Sequence, residues 1–135
     1  MKRNRNRKPP DDPEEWINRA KSNLARARYN KPEIYLEDLC FDAQQATEKA
    51  IKAVLINLNV EYPYTHDLTA LLTKISREGV RVPEEIKKAG ALTDYAVESR
   101  YPSPAESVTE EEYKEAVSVA ETVLNWAASA IEDNG

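Results

Sequence analysis

The fold is decided by one stretch near the middle of the chain, residues 36–58, which reads LEDLCFDAQQATEKAIKAVLINL. Apolar side chains recur there in steps of three and four, the spacing of one face of an α-helix. They are Leu36, Leu39, Ala43, Ala46, Ala50 and Ala53. Most are small, so a neighbouring helix can approach this face closely. We therefore predict a long central helix from about Glu33 to Leu58.

Two shorter amphipathic segments flank this helix. The first runs from Pro13 to about Tyr29 and can be capped by Asp12, with proline at its first position. The second begins after Thr65 or His66 as its cap and ends at Gly79, the residue type that favours a helix C-terminus.

Two further helices follow toward the C-terminus. One starts at Val82 and is expected to stop near Tyr101, because Pro102 cannot continue it. The last is capped by Ser107 or Thr109, and the Thr109–Glu112 spacing matches a capping box. No segment alternates with the period of a strand. The sequence predicts an all-α, antiparallel up-and-down bundle of four main helices and one short helix.

Composition limits the class of protein. The 135 residues are 41% hydrophobic and 32% charged, which excludes a disordered, collagen-like or transmembrane chain. No apolar segment of signal-peptide type follows the basic start, so we expect a cytoplasmic protein without membrane attachment. The single cysteine, Cys40, permits neither an internal disulfide nor a cysteine-based metal site, and no metal or cofactor is expected.

The charge is distributed unevenly. The first eight residues carry +5, whereas the rest has 14 basic and 24 acidic residues, a net of -10. We divide the chain into a basic, disordered arm (residues 1–12) and one helical domain (residues 13–135). The arm can contact phosphates, a weak indication of RNA, or it can be a solvated terminus that aids solubility.

Three polar features stand apart from ordinary helix surface. Gln44, Glu48 and Lys52 follow one another at four-residue spacing beside the apolar face of the long helix. They form either a solvated salt-bridge stripe or part of a binding site. His66 and Asp67 begin the third helix, where capping is the simpler interpretation.

The third feature is Arg100-Tyr101 at the end of the fourth helix. It can stabilise the helix end or offer a platform for a phosphate and a base. Cys40 is most simply a small buried hydrophobe, although a pair with His66, the single histidine, is open. The three glycines are scattered, which excludes a glycine-rich phosphate loop.

These features, in this order, resemble the HEPN domain family. The resemblance is carried by residues 16–20 (WINRA), 41–53 (FDAQQATEKAIKA), 65–68 (THDL) and 99–102 (SRYP), and by the closing helix with Ala116, Ala120 and Leu124. It covers about residues 14–133, nearly the whole domain. The combination of these motifs is specific, whereas each alone is weak.

The resemblance implies a four- to five-helix bundle, commonly a homodimer, that often acts beside a separately encoded minimal nucleotidyltransferase. Some HEPN branches are metal-independent ribonucleases that carry an arginine, then four to six intervening residues, then a histidine. Here the corresponding positions before His66 hold Asn59, Val60 and Glu61. The ribonuclease motif is absent, so the resemblance does not imply an enzyme.

We therefore expect a non-catalytic HEPN module that binds a nucleotide, a nucleotidyltransferase partner, or both, in a toxin–antitoxin-like or stress system. The candidate ligand-binding residues are Gln44, Glu48, Lys52, His66, Asp67, Arg100 and Tyr101. Arg100 would meet phosphate, Tyr101 would stack, and Gln44 and Glu48 would bond a base or ribose. The alternatives are a metal-independent ribonuclease using His66 and Arg100, or a purely structural dimer.

Overall fold

The computed structural model of the chain describes residues 7–96 and 107–134. The helices are α1 (Pro13–Ala27), α2 (Leu36–Asn57), α3 (Leu68–Arg77), α4 (Glu84–Lys87), the 3₁₀ helix η1 (Lys88–Ala96) and α5 (Glu110–Asn134). This part of the chain contains no strand, and the predicted all-α helical bundle is confirmed. None of these helices is both long enough and apolar enough to cross a membrane.

Helix α2 is the centre of the bundle, with α1, α3, α5 and η1 all packed against it. Most of its predicted seam is buried: Ala43, Ala46, Ala50 and Ala53 have no exposed surface and Leu39 is 2% exposed, whereas Leu36 at its start is half-buried. Alanine keeps the helix axes close together because it adds little thickness to the contact. The small side chains therefore explain how several helices share one central helix.

Local capping signals set two helix starts as predicted. The Asp12 carboxylate accepts a hydrogen bond from the Glu14 N–H (2.9 Å) at the start of α1. Before α5, the Thr109 hydroxyl accepts from the Glu112 N–H (3.1 Å), and the Glu112 carboxylate accepts from the Thr109 N–H (2.9 Å). The predicted capping box is confirmed, because both bonds satisfy backbone donors that the helix leaves free.

Two predicted helix starts shift in the structure. Helix α2 begins at Leu36 rather than Glu33, because the Ile34 N–H donates to the Lys31 carbonyl (2.9 Å) in a preceding turn. Helix α3 is capped by Asp67, whose carboxylate accepts from the Ala70 N–H (3.2 Å). The prediction that Thr65 or His66 is the N-cap was wrong, whereas the capping interpretation of the segment that includes Asp67 is confirmed.

The predicted fourth helix is present over residues 84–96, but only its first turn is α-helical and residues 88–96 form η1. The 3₁₀ segment packs closely against the start of α3. The Thr93 hydroxyl of η1 accepts the Leu68 N–H (3.1 Å), and a Cβ on Gly90 would lie 2.2 Å from the Thr69 hydroxyl oxygen. This close packing is a long-range contact that helical periodicity does not contain. The predicted end at Tyr101 lies outside the described residues.

The described end of the basic arm lies against the start of α1. The Lys8 N–H donates to the Glu15 carboxylate (2.9 Å), and the Lys8 ammonium is 3.3 Å from Glu14. The Trp16 indole donates to the Pro10 carbonyl (2.7 Å). The division into arm and domain stays a prediction, because residues 1–6 are outside the described part.

The bundle is closed by contacts between α5 and the end of α1. The buried Tyr113 hydroxyl donates to the Ala27 carbonyl (2.6 Å), and Arg28 forms an ion pair with Glu121. The Ala27 carbonyl belongs to the last turn of α1, where no further helical N–H is available to it. Tyr113 therefore satisfies a helix end and fixes α5 at the same time.

We expect Tyr113→Phe to lower the free energy of unfolding by about 1 kcal/mol, because it removes this buried hydrogen bond and leaves the carbonyl unpaired. Urea denaturation followed by circular dichroism measures the change. Tyr35→Phe is the matched control, since Tyr35 is 74% exposed. Equal stability of the two variants would contradict a stabilising role for the Tyr113 hydroxyl.

Candidate functional site

The connection after α2 returns the chain to the middle of that helix. Leu58 is the C-cap, and Asn59 follows in the left-handed conformation at φ 57°, which asparagine tolerates better than most residues. The Asn59 N–H donates to the Ile56 carbonyl (2.9 Å) and closes the helix. The chain then reverses, and residues 64–66 reach Glu48 and Lys52.

Three polar side chains meet there around the Glu48 carboxylate, and we call the four residues the Glu48 cluster: Gln44, Glu48, Lys52 and His66. Glu48 Oε1 lies 2.7 Å from His66 Nδ1 and accepts a hydrogen bond from Gln44 Nε2 (3.0 Å). Glu48 Oε2 accepts from the Lys52 ammonium (2.8 Å). Gln44 is held in turn by Gln45, whose amide donates to Gln44 Oε1 (2.8 Å).

Burial and hydrogen bonding act on Glu48 in opposite directions. Only 4% of the residue is exposed, and this burial raises the pKa of Glu48 because it penalises the charged carboxylate. Hydrogen bonds from Lys52, His66 and Gln44 outweigh that penalty, so the net pKa of Glu48 lies below its ordinary value. The carboxylate is therefore a buried charge held ionised by its neighbours.

The outer side of the cluster faces solvent. The His66 side chain is 56% exposed, and the described residues give no hydrogen bond to its second ring nitrogen, Nε2. The Lys52 ammonium also lies 5.9 Å from the centre of the Tyr64 ring, and Tyr64 is fully exposed. An imidazole nitrogen, a cation and an aromatic face are thus adjacent at one surface.

The predicted site residues separate into three groups. Lys52 and His66 reach the surface of the cluster, whereas Gln44 has no exposed area and Glu48 is buried beneath them. Asp67 is not part of the cluster, since its carboxylate caps α3. Arg100 and Tyr101 lie outside the described residues, so their roles stay predictions.

Sequence reasoning missed Tyr64. It lies in a connection without helical periodicity, and the one available signal was an aromatic residue close to the single histidine. A second omission is the polar contact between α1 and α2. Asn23 donates to Asp42 Oδ1 (3.1 Å) and accepts from the Lys49 ammonium (2.7 Å). Burial, and then the charge of Arg19, lower the pKa of Lys49.

Cys40 does not form the pair with histidine that the sequence left open. It is fully buried, and its thiol is hydrogen-bonded with Tyr95 of η1. Burial, with a further contribution from Glu37, raises the pKa of Cys40 to about 12. A thiol in this state is a poor nucleophile. Across residues 7–96 and 107–134, no three histidine, cysteine, aspartate or glutamate side chains are grouped to hold a metal ion.

The Glu48 cluster makes stability depend on pH. A carboxyl whose folded-state pKa is lowered stabilises the protein above its ordinary value of 4.5, and this contribution is lost as the pH falls through the lower folded-state pKa. We expect Glu48→Gln to cost about 2 kcal/mol of unfolding free energy at pH 7, because the Lys52 ammonium loses its buried partner.

Urea denaturation at pH 7, 5 and 3.5 tests this expectation. The difference in unfolding free energy between wild type and Glu48→Gln should have its full size at pH 7 and pH 5 and should be smaller at pH 3.5. Glu111→Gln, on the exposed side of α5, is the control and should have little effect at any of them. A Glu48→Gln cost that is the same at all three values would refute the ionised, hydrogen-bonded carboxylate.

Comparison with known proteins gives the chain its family. The family model described as the HEPN domain matches residues 13–131. A crystal structure of an archaeal HEPN homologue, ST0689, is 31% identical over 97% of this chain and 99% of its own, with a TM-score of 0.72. TT1696 from Thermus thermophilus is 28% identical over 89% of this chain and 98% of its own, with a TM-score of 0.77. Among curated proteins no sequence matches. The match over nearly the whole domain establishes that the chain belongs to the HEPN domain family.

Proposed function

We propose that this chain is a nucleotide-binding HEPN module and that the outer side of the Glu48 cluster, together with Tyr64, is its ligand site. One observation carries the proposal: a single buried carboxylate holds both the Lys52 ammonium (2.8 Å) and the His66 ring (2.7 Å) beside a fully exposed aromatic ring. Side chains held in this way bind a ligand with little further loss of conformational entropy.

The phosphate of the ligand would meet Lys52 and His66. The Lys52 ammonium has three donors, one of which is used by Glu48, and the 13% of the side chain that is exposed is where an anion would reach the others. His66 uses Nδ1 at Glu48, and its Nε2 donates to a phosphate oxygen when the imidazole carries both protons. The negative charge of Glu48 offsets part of this attraction, so we expect moderate affinity.

The base would stack on Tyr64. Stacking on an aromatic side chain tolerates any base, because every base has a π-face. The ring's solvent exposure and its position near the Lys52 ammonium make it accessible beside the phosphate contacts. Gln44 and Glu48 then act as positioning residues beneath the site. The assignment of Arg100 and Tyr101 to the same ligand remains a prediction.

Thermal unfolding with AMP, ADP, ATP and inorganic phosphate tests the proposal. A nucleotide at about a hundred times its dissociation constant stabilises the folded state by roughly 2.7 kcal/mol, which raises Tm by several degrees. We expect Tyr64→Ala to weaken nucleotide binding about tenfold, because it removes the stacking surface, and to leave the weak effect of phosphate unchanged.

Tyr35→Ala is the matched control, since Tyr35 is also largely exposed but belongs to the start of α2. It should bind nucleotides like the wild type. Nucleotide binding that Tyr64→Ala leaves intact would overturn the assignment of this site, and no Tm shift with any of the nucleotides would overturn the proposed function.

A second candidate function is metal-independent RNA cleavage. The contact between His66 Nδ1 and the buried Glu48 carboxylate favours it, because a carboxylate that orients a histidine supports acid–base chemistry at the other ring nitrogen. We expect cleavage of a fluorogenic RNA in EDTA to be lost in His66→Ala. The matched control is Asp67→Asn, which retains the α3 cap and should not change cleavage. No cleavage by the wild type excludes this candidate.

The remaining parts of the proposal concern assembly. Homodimerisation, a minimal nucleotidyltransferase partner, a role in a toxin–antitoxin-like or stress system and a cytoplasmic location all follow from the resemblance and the composition. A purely structural dimer is the interpretation that applies if neither ligand binding nor cleavage is found.

A further inference from the structure

The contact between His66 and Glu48 determines which nitrogen of the imidazole ring carries a proton. Nδ1 of His66 lies 2.7 Å from Oε1 of Glu48, which is hydrogen-bond distance. Burial raises the pKa of Glu48, but hydrogen bonds from Lys52, His66 and Gln44 outweigh it and hold this pKa below its ordinary value. The ionised carboxylate has no proton to donate, so Nδ1 is the donor in this contact.

A neutral His66 ring therefore presents an acceptor to the solvent. When Nδ1 carries the one proton of a neutral imidazole, Nε2 has only a lone pair. The described part of the chain gives no hydrogen bond to Nε2, and the side chain is 56% exposed. A lone pair repels a phosphate oxygen, whereas an N–H group attracts it. Nε2 can thus bind phosphate only when the ring has gained its second proton.

Lys52 does not replace the histidine in this role. Its side chain is 13% exposed, whereas that of His66 is 56% exposed. The Lys52 ammonium also donates to the buried Glu48 carboxylate (2.8 Å), which offsets part of its charge. A phosphate that approaches from solvent therefore meets mainly the imidazole ring, and its affinity depends on the protonation state of that ring.

The charged and titratable groups around the ring come from α2 and from the connection that carries His66. On α2, the Glu48 carboxylate favours a positive charge on the ring and the Lys52 ammonium opposes it. On the connection, Tyr64 is fully exposed, and Asp67 turns its carboxylate to the start of α3. Glu48 is therefore the acidic group that acts on the ring directly.

Helices α3 and η1 meet just beyond this connection. Their contact joins two uncharged groups, the Leu68 N–H and the Thr93 hydroxyl (3.1 Å), and the next residue of η1, Asp94, is exposed. Among the described residues, no charged side chain of α3 or η1 contacts His66. A phosphate at Nε2 would place the ring between two anions, which favours the imidazolium form.

Building on the nucleotide site proposed above, we infer that the Glu48 carboxylate holds the neutral His66 ring in its Nδ1–H tautomer and that binding of a nucleotide phosphate takes up one proton at Nε2. The proton comes from the solvent and returns to it when the nucleotide leaves, and no bond to phosphorus forms or breaks. Histidine changes its charge between about pH 5 and 8. The site therefore binds nucleotides more tightly at the lower end of this range.

Nuclear magnetic resonance tests the tautomer without any ligand. His66 is the single histidine of the 135 residues, so proton–nitrogen correlation spectra of the isotope-labelled, tag-free protein contain one imidazole ring. At pH 8.5 we expect the chemical shift of a protonated nitrogen at Nδ1 and that of an unprotonated nitrogen at Nε2. The reverse assignment, or an even mixture of the two forms, would overturn the inference.

Titration calorimetry with AMP at pH 6 and pH 8.5 tests the proton uptake. We expect AMP to bind about tenfold more weakly at pH 8.5, because the charge-assisted hydrogen bond from Nε2 is lost. The phosphate of AMP itself gains negative charge as the pH rises, which acts in the opposite direction. At pH 8, two buffers with different ionisation enthalpies should give different binding heats, and the difference should correspond to proton uptake by the complex.

His66→Asn isolates the second ring nitrogen. The asparagine amide can donate to Glu48 from about the position of Nδ1, and it has no group at the position of Nε2. Its affinity for AMP should be close to that of wild type at pH 8.5 and should not fall as the pH rises. Asp67→Asn is the matched control: it removes the neighbouring carboxylate, retains the α3 cap and should keep the pH dependence of wild type.

The results of these titrations separate the site from its proton uptake. No binding of AMP at either pH would overturn the nucleotide site, and the proton uptake with it. AMP affinity that does not fall at pH 8.5, that falls equally in His66→Asn, or that loses its pH dependence in Asp67→Asn would overturn the proton uptake at His66 and leave the nucleotide site in place.

Discussion

The site depends on one buried negative charge. Glu48 lies on the central helix of the bundle, where an unpaired carboxylate would cost several kcal/mol or take up a proton. Its two oxygens therefore require donors, and the structure supplies them from Gln44, Lys52 and His66. This requirement constrains more than the helix itself, because His66 can reach Glu48 only if the connection after α2 folds back on it. The buried charge thus links the central helix to the loop that carries Tyr64.

The sequence predicts those parts of the fold that are determined by residues close together in the chain. The spacing of the alanines on α2 predicts a buried face, and Asp12 and the Thr109–Glu112 pair mark helix starts by hydrogen bonds within four residues. The fourth helix could not be predicted in the same way. Its change to 3₁₀ geometry accompanies packing of Gly90 and Thr93 against the start of α3, more than twenty residues earlier. Helical periodicity contains no information about such a contact.

In the candidate site, too, contacts between residues close in the chain could be predicted, whereas burial by neighbouring helices could not. Four-residue spacing correctly puts Gln44, Glu48 and Lys52 on one stripe of a helix, and the helix itself supplies the Gln44–Glu48 and Glu48–Lys52 contacts. How deeply these three side chains are buried depends on how neighbouring helices cover α2. The four-residue spacing does not specify that covering. Glu48 and Gln44 are consequently supports beneath the surface rather than surface groups. Asp67 shows the opposite case, because a local cap explains it completely.

The contacts that close the bundle have a consequence for synthesis on the ribosome. The Tyr113–Ala27 bond joins residues 86 positions apart, and Arg28 and Glu121 are 93 apart. Contacts of such separation carry a loop-closure cost and slow folding, whereas α1 and α2 are adjacent in the chain and can pair early. The surface of α2 that packs against α5 therefore has no partner until α5 has left the exit tunnel. During that interval the nascent chain exposes apolar surface, and a chaperone that shields a two-helix intermediate would meet it there.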